Sequence, residues 1–452
     1  MAIIKAIQPY QLDEDYIGTI VSINTDGVVK KTRTGIDSVS DFGAAMRVDL
    51  SAGVLPALLT KKVALDKVLV ETLWMLRGET NIKYLKDNNC GIWDQWVTPG
   101  TEVYEETEMT KSQMIEHLKK VKPSVIDPGM PNALERMTVE QLKTYGVEFP
   151  TKKKLVDGDL NEVYQAQWRK WEDTRLFDQH ESEELTKLGY DLVGKVEGTE
   201  KYVWTRRIDQ LQRIIDTLKT NPDDRRMMVS AWNVGKLETM ALPPCHLMFQ
   251  FYSFELTSWQ LAYLASMQDG LGIEELAGLT SSEISDFVES QTAEGSELDW
   301  WREKGAPMRG LSCMFYMRSN DVAIGKPFNW VAYPIIANVI AHMAGNHIVT
   351  DVIYVAGDVH VYMDQWEVKD SADNLVGGVA KHFQQWDDFA ENMIIGDGGE
   401  LSIHRPEGDP IELSLPKIKI KGEFTLDTID LDNVEISGYK SLPFVKYPLA
   451  AK

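Results

Sequence analysis

Cysteine is scarce in this chain, with only Cys90, Cys245 and Cys313 among 452 residues. Three widely spaced cysteines are too few for a disulfide framework or a thiolate metal site, which argues against the disulfide-stapled and the cysteine-ligated metal proteins. We therefore expect a protein of a reducing compartment, the cytoplasm, without a bound metal.

Positive charge and long apolar runs are also in short supply. Lysine and arginine number 47 against 69 acidic residues, which gives a formal net charge of −22. Broad attraction to nucleic acid or to an anionic membrane is not expected, so an anionic ligand needs a local basic pocket. The N-terminal MAIIKAIQPYQLDEDYIG lacks the features of a signal peptide, and residues 331–344, the most apolar stretch, fall short of the roughly 20 residues that span a membrane.

The spacing of apolar residues predicts a mixed α/β chain that is long enough to bury a large core. Helical spacing occurs at 64–76, where Gly78 would end the helix, and at 207–218. Two further helices are expected near 138–145 and from Pro327 to about residue 344. Strands are predicted over 247–254, 311–317 and 348–355, with short strands and turns over 17–50 and mixed strands and loops after residue 362.

Residues 221–252, NPDDRRMMVSAWNVGKLETMALPPCHLMFQFY, concentrate the candidate chemistry. A cysteine thiol has an unperturbed pKa of about 8.5, so Cys245 attacks well only with positive charge or a base nearby. Arg225 and Arg226 could supply that charge or bind a phosphate with their planar side chains. Taken alone, however, such a cysteine is more often a small buried apolar residue, and the arginine pair an ordinary solvated corner.

Motifs elsewhere in the chain follow a specific order. They are TRTG with Arg33, VETLWMLRGETNIKYL with Glu71, IWDQW with Trp93 and Trp96, VYQAQWRKW with Tyr164, RRMMVSAWN, ALPPCH, FYMRSNDVAIGKPFN and AGDVHVY. Together they resemble the thymidylate synthase family, which includes the phage pyrimidine deoxynucleotide hydroxymethylases. The resemblance runs from about residue 21 to the C-terminus.

This resemblance implies one catalytic domain over residues 1–452, interrupted by two segments that look like insertions. Residues 99–159 are polar and charged, and residues 255–309 are acidic and expected to be a solvated surface. The implied fold is α/β (α+β), with a large bent mixed sheet flanked by helices. The resemblance also implies a homodimer in which the sheets of two subunits pack back to back.

The resemblance assigns the nucleotide site. Cys245 would add to C6 of the pyrimidine ring, so that C5 can attack the one-carbon unit of 5,10-methylenetetrahydrofolate. The phosphate would be bound by Arg33, Arg318 and Ser319, with Arg225 and Arg226 contributed by the partner subunit; His360 and Tyr362 would bind the sugar hydroxyl. Asn329 would read the base, and because an amide both donates to O4 and accepts from N3–H, it favours dUMP over dCMP.

Further residues are implied for proton transfer and for folate. Glu71 would relay protons at the ring O4, Tyr164 would help remove the C5 proton, and His246, next to the nucleophile, is a further catalytic candidate. The folate pocket would comprise Trp93, Trp96, Gly325, Phe328 and Asp321, with Asp321 bound to the pterin and Lys61 meeting the glutamate tail. Without the resemblance, Glu71 would pair with Lys67, Asn329 would start a helix, and His360 and Lys61 would be packing and surface residues.

The product depends on what captures the methylene group left on the ring: hydride from tetrahydrofolate gives thymidylate, and water gives 5-hydroxymethyl-dUMP. The tail VKYPLAAK ends in small residues and Lys452, where the family has a branched apolar terminus, so water entry is expected. Gln165, Met317 and Ala356 also depart from the synthase pattern. We expect a phage-type dUMP hydroxymethylase in the host cytoplasm; the alternatives are a thymidylate synthase, a dCMP hydroxymethylase, or a non-catalytic nucleotide-binding or assembly protein.

Overall fold

A computed structural model describes most of the chain. The described residues are 10–33, 35–97, 104–107, 111–121, 134, 137–143, 152–155, 158–160, 163–178, 182–396, 400–405 and 408–448. Within them the strands are β1 Val28–Lys30, β2 Ser38–Asp49, β3 Tyr104–Thr107, β4 Lys152–Leu155, β5 Trp171–Phe177, β6 Asp191–Lys195, β7 Tyr202–Ile208, β8 Met228–Ser230, β9 His246–Glu255, β10 Arg309–Asp321, β11 His347–Tyr362, β12 Val368–Lys369, β13 Leu375–Gly377, β14 Met393–Ile395, β15 Leu401–Ile403, β16 Ile411–Leu413, β17 Lys417–Ile420 and β18 Val434–Ser437.

The helices lie between these strands, singly or in groups. They are α1 Gln11–Asp26, α2 Leu65–Leu76, α3 Lys83–Asp87, α4 Lys111–Val121, α5 Val139–Lys143, α6 Tyr164–Lys170, α7 Glu183–Lys187, α8 Gln210–Thr220, α9 Ser258–Met267, α10 Ser281–Gln291, α11 Glu297–Glu303, α12 Gly325–Ala344 and α13 Gly378–Asn392. None of those in the described part of the chain combines the length and the apolar character needed to cross a membrane.

A six-stranded mixed sheet organises the molecule, in the order β1-β2-β11-β10-β9-β8. Strands β10 and β11 run parallel, and every other neighbouring pair in this sheet is antiparallel. A parallel pair needs a crossover, and the largely buried helix α12 supplies it. The expected α/β fold with a large mixed sheet flanked by helices is thus confirmed, as are the predicted strands within β9, β10 and β11.

The predicted helices near 64–76, 138–145 and 207–218 and the one after Pro327 are confirmed as α2, α5, α8 and α12, although residues 207 and 208 end strand β7. Pro327 lies in the first turn of α12, where its missing N–H is not needed. The helix stops at Gly345, which has φ +85°, a left-handed conformation that glycine adopts without strain.

Two regions differ from expectation. Residues 17–26 belong to helix α1, where short strands and turns were expected, and residues 378–392 form helix α13, where strands and loops were expected. Isoleucine, valine and threonine over residues 17–25 favour a strand by intrinsic propensity. The segment nevertheless folds as a helix, because Tyr16, Ile20 and Ile23 then share one face that is fully buried in the core.

The acidic segment 255–309 is more than a solvated surface. Helices α9, α10 and α11 enclose a small apolar core of their own, in which Leu261, Leu264, Ile284 and Trp301 are fully buried. The acidic side chains lie outside this core, so composition alone hides its apolar spacing. In segment 99–159, the described part includes the antiparallel strand pair β3–β4 and a cluster that contains Met114, Leu118 and Leu142.

Candidate active site

Cys245 lies at the end of the loop that enters strand β9, and Arg318 on strand β10 holds that loop. The Arg318 backbone N–H donates to the Cys245 carbonyl at 2.8 Å, and Arg318 Nε donates to the Pro244 carbonyl at 3.0 Å. Arg318 Nη2 then lies 3.8 Å from Cys245 Sγ. Desolvation raises the pKa of the Cys245 thiol, while Arg318 and Arg33 lower it. Arg318 is therefore the local source of positive charge for this nucleophile.

His246 is buried between two tyrosines and supplies no charge to its neighbour. Its ring stacks on those of Tyr164 and Tyr333, with centroid separations of 5.1 and 5.6 Å, and its Nδ1 lies 3.1 Å from the Tyr333 hydroxyl. Burial lowers the pKa of His246 to about 4, so the imidazole is neutral at pH 7. This geometry suits His246 to hold Tyr164 in place; its catalytic role stays a prediction.

Glu71 and Tyr164 approach the nucleophile from the helical side of the sheet. The Trp93 indole N–H donates to Glu71 Oε1 at 2.7 Å, so Glu71 does not form the pair with Lys67 that its spacing suggested; Lys67 pairs with Asp66. Desolvation raises the pKa of Glu71 to about 7, a value suited to giving and taking a proton near neutrality. Burial, Glu71 and Cys245 raise the pKa of the Tyr164 hydroxyl, which therefore stays protonated.

The raised pKa of Glu71 predicts a pH-dependent cost to stability. The native state holds this proton more tightly than the unfolded chain, so stability falls as pH rises from about 4.5 to about 7. Glu71→Gln keeps an acceptor for Trp93 and removes the buried charge. The difference in free energy of unfolding, variant minus parent, should be about 1–3 kcal/mol larger at pH 8 than at pH 5. The partial exposure of Glu71 keeps this difference below the value for full burial.

Urea unfolding of both proteins at the two pH values measures this difference. Glu289→Gln, the same change on an exposed helix face, is the control and should show none. If the free energies of unfolding of the parent and Glu71→Gln differ by the same amount at both pH values, Glu71 is not desolvated in solution.

Asn329 is oriented by a second amide, that of Asn320, which the sequence pattern did not indicate as a site residue. Asn329 Nδ2 donates to Asn320 Oδ1 at 3.4 Å, and Asn320 Nδ2 donates to the Tyr354 hydroxyl at 3.0 Å. Asn329 keeps its carbonyl oxygen and its second N–H for a ligand. Gly325 makes room for this pair, because a Cβ there would lie 2.9 Å from Asn320 Oδ1. The motif FYMRSNDVAIGKPFN contains all three residues but does not show that they touch.

Asp358, in AGDVHVY, is another residue that sequence reasoning passed over. Its carboxylate accepts from Ser319 Oγ at 2.8 Å, from His360 Nδ1 at 2.7 Å and from Ser40 Oγ. Although desolvation raises the pKa of Asp358, these hydrogen bonds hold it below its usual range. A carboxylate accepts only, so His360 carries its proton on Nδ1 and leaves Nε2 free for a ligand. Ser319 and His360 are thus positioned by one side chain.

Asp358→Asn should weaken nucleotide binding by about 10–100-fold, because charge-assisted hydrogen bonds contribute roughly 1.5–3 kcal/mol and two predicted ligand contacts depend on them. Titration calorimetry with dUMP measures the effect. Asp373→Asn, an exposed position with φ +65° that asparagine tolerates, serves as the control. Unchanged affinity in Asp358→Asn would separate Ser319 and His360 from nucleotide binding.

Several of the predicted folate residues have defined surroundings. Asp321 accepts from the Ile324 N–H at 3.1 Å and from Gln365 Nε2 at 2.8 Å. Trp96 and Phe328 are partly exposed, and the Arg33 guanidinium lies 5.5 Å from the centre of the Trp96 ring. A fixed carboxylate and partly exposed aromatic rings are the kinds of group that bind a flat heterocycle with N–H donors, such as a pterin.

Lys61 is placed differently from what its predicted role requires. It is 5% exposed, and its ammonium donates to the Tyr16 hydroxyl at 3.0 Å and to the Ala323 carbonyl at 2.6 Å. Burial lowers the pKa of Lys61 to about 7. The cation is thus engaged inside the protein, and its contact with a folate tail stays a prediction.

Arg225 and Arg226 precede strand β8, at the edge of the sheet, two strands away from Arg318. The Arg226 side chain is 92% exposed, with Asp224 at 4.0 Å as an ion-pair partner. Both arginines therefore point into solvent in a single chain. Tyr362, by contrast, lies in the site, where desolvation, Asp321 and Cys245 raise its pKa.

The residues that depart from the synthase pattern are packed in the interior. Met317 and Ala356 are register partners on β10 and β11 and are 1% and 2% exposed. Gln165 is buried and donates to the Glu79 carbonyl at 2.9 Å. The last residues of the tail, including Lys452, lie outside the described residues. Within the described part of the chain, no cluster of His, Cys, Asp and Glu is arranged to hold a metal ion.

A family model described as thymidylate synthase matches residues 14–273 and 297–451. The span contains Cys245, Glu71, Tyr164, Arg318 and Asn329. It leaves out residues 274–296, which include helix α10 inside the acidic segment.

Proposed function

The chain belongs to the thymidylate synthase family, whose reaction is one-carbon transfer from methylenetetrahydrofolate to a pyrimidine nucleotide, and we propose that this member converts dUMP to 5-hydroxymethyl-dUMP. The observation that carries the proposal is the convergence of a thiol, a guanidinium and an acid with a pKa near neutrality. Cys245 lies beside Arg318, and both Cys245 and Glu71 act on the ionisation of Tyr164.

These residues account for the opening step. As Cys245 Sγ bonds to C6 of the ring, the C5–C6 double bond is lost and negative charge moves to C5 and O4. Glu71 can supply a proton at O4, directly or through water, because its raised pKa of about 7 lets it carry a proton near neutrality. Methylenetetrahydrofolate supplies the one-carbon unit that C5 attacks. Tyr164, held protonated, can orient the water that takes the C5 proton.

Base choice is supported by the amide pair. Asn329 has one N–H and one carbonyl oxygen left after its contact with Asn320, which match O4 and N3–H of uracil. Cytosine presents a donor and an acceptor in reversed order at these positions. The same geometry disfavours a dCMP hydroxymethylase.

Hydroxymethylation is supported by the small side chains in the tail sequence VKYPLAAK, which would admit water to the closed site. Incubating the protein with dUMP and methylenetetrahydrofolate in heavy-oxygen water tests it. Mass spectrometry should show 5-hydroxymethyl-dUMP with one heavy oxygen in the new hydroxyl group, because that oxygen comes from solvent. Thymidylate as the main product, formed in equal amount with dihydrofolate, would establish a thymidylate synthase instead.

A non-catalytic nucleotide-binding role is disfavoured because Cys245, Glu71, Asn329 and Arg318 are all retained. Release of tritium from C5-labelled dUMP in the presence of the folate tests turnover independently of which product forms. No release from folded protein would revive the binding role.

We also propose that the working form is a homodimer that shares Arg225 and Arg226. The sheet face opposite the helices exposes Tyr252, Met314 and Met228 by 60, 43 and 44%. Met314 and Met228 register with Gln250 from opposite sides of strand β9, and Tyr252 lies two residues further along that strand, so all three lie on one face of the sheet. Such a face suits burial against a second copy.

Mixing two inactive variants tests the shared site. In a hybrid of Cys245→Ala with the double variant Arg225→Ala and Arg226→Ala, one site keeps its thiol and receives intact arginines from the other subunit. We expect the mixture to regain about a quarter of the parental activity, since half the dimers are hybrids with one complete site. A mixture that stays inactive after subunit exchange is confirmed would place the arginines in their own subunit's site or outside it.

A further inference from the structure

We propose that Tyr447 and Gln365 are positioning residues that anchor residues 446–448 beside Asp321 and thereby set the position of the Asp321 carboxylate. The anchor is formed by four contacts, made by a histidine, a lysine, a pair of glycines and Gln365. The inference rests on the proposed function only where it links Asp321 to folate.

The first contact is a directional chain of hydrogen bonds that ends at Tyr447. Thr60 Oγ1 donates its one proton to the buried Asp13 carboxylate, so His382 Nε2, 2.7 Å from Oγ1, must donate to it. His382 is fully buried, and burial and Lys61 lower its pKa well below the usual value. The neutral ring therefore presents Nδ1 as an acceptor to the Tyr447 hydroxyl, 3.5 Å away.

The second contact is the Lys61 ammonium, 4.4 Å from the centre of the Tyr447 ring. A cation over an aromatic face is attractive, and more so when both are shielded from water. Lys61 is in turn held by Tyr16 and the Ala323 carbonyl, only two residues from Asp321. The tyrosine thus binds to the framework that carries Asp321.

The third contact is made by the backbone. The Gly378 N–H donates to the Lys446 carbonyl at 2.8 Å, and Gly377 and Lys446 form a parallel bridge. A Cβ at Gly377 would collide with the Lys446 carbonyl oxygen, so only glycine permits this approach. The Gly378 amide is therefore a direct reporter of whether residue 446 is docked.

The fourth contact joins the anchor to the site. Gln365 is fully buried, and its Nε2 donates to Asp321 Oδ2 at 2.8 Å and to the Pro448 carbonyl at 3.4 Å. Its Oε1 accepts from the Tyr362 N–H at 3.0 Å. One amide therefore fixes a predicted folate ligand, a predicted sugar ligand and the tail together. If the contact with the Pro448 carbonyl is lost, Gln365 is less constrained and holds Asp321 less firmly.

Hydrogen exchange at Gly378 tests the anchor on the whole protein, whatever the reaction. Tyr447→Ala removes both the ring and the hydroxyl and should speed exchange of this amide at least about tenfold. Tyr447→Phe keeps the ring over Lys61 and should have a smaller effect. Gln365→Glu, which keeps the acceptor for Tyr362 but loses the donor, should also speed it, whereas the exposed Gln384→Glu should not. Unchanged Gly378 exchange in folded Tyr447→Ala would overturn the anchor.

Kinetics test the link to Asp321. We expect Tyr447→Phe and Gln365→Glu to raise the KM for methylenetetrahydrofolate about tenfold or more, with a smaller change in kcat and dUMP binding within twofold of the parent. Faster exchange at Gly378 with an unchanged folate KM would overturn the positioning role. Should the parent lack turnover, folate binding measured by calorimetry replaces KM, so failure of the proposed function is distinguished from failure of the anchor.

Discussion

Cys245→Ala should abolish turnover while leaving dUMP affinity within about threefold of the parent. Without Sγ, no bond forms at C6, and C5 of a neutral uracil is a poor nucleophile, so the rate should fall by at least about 10⁴-fold. Binding should survive because the side chains predicted to bind phosphate and base have other supports. Arg318 keeps its hydrogen bond to the Pro244 carbonyl, and Asn329 keeps its contact with Asn320.

The measurements are tritium release from C5-labelled dUMP and calorimetric titration with dUMP. Cys313→Ala is the matched control, because Cys313 is fully buried in strand β10 and burial keeps its thiol protonated. It should cost some stability by leaving a small cavity and leave the rate per folded molecule close to that of the parent. Residual tritium release above about 1% in Cys245→Ala would remove Cys245 from the nucleophile role.

Asn329→Asp should reverse the choice of base. An ionised aspartate accepts hydrogen bonds only, so it can accept from the 4-amino group of cytosine but offers no donor to O4 of uracil. We expect kcat/KM for dUMP to fall about 100–1,000-fold, since leaving a buried polar group unpaired costs about 3–4 kcal/mol at a site built for hydrogen bonding. Tritium release from C5-labelled dCMP should rise.

Asn346→Asp is the control for this change. Asn346 is exposed just beyond the other end of helix α12, and its Oδ1 accepts from the Met308 N–H, a contact that aspartate retains. This variant should keep the parental preference. Equal losses on dUMP and dCMP in Asn329→Asp would mean that Asn329 supports the fold of the site without reading the base.

The elements predicted from sequence were those whose pattern is local. Helix α8 and strand β9 are recognisable because burial of one helical face and burial of one sheet face leave distinct spacings. Helix α1 was not predicted because its β-branched residues favour a strand. Only the packing of one helical face against the sheet shows that the helix is the more stable conformation. The core of segment 255–309 was missed for a related reason, since its few apolar residues are diluted by exposed acidic ones.

The sequence by itself determined the chemistry: the order of motifs around Cys245, Glu71, Tyr164 and Asn329 identified the family that the family model then matched. Only the tertiary structure decided which groups act on which. It placed Arg318 beside the Cys245 thiol and Lys61 over the ring of Tyr447. It also placed Asp358 where it accepts hydrogen bonds from Ser319 and His360, and Asn320 where it accepts one from Asn329. A reaction requires particular residue types, and these can be recognised in the linear sequence. Hydrogen-bond partners, desolvation and pKa values depend on distances between segments far apart in the chain, which the sheet and its helices set.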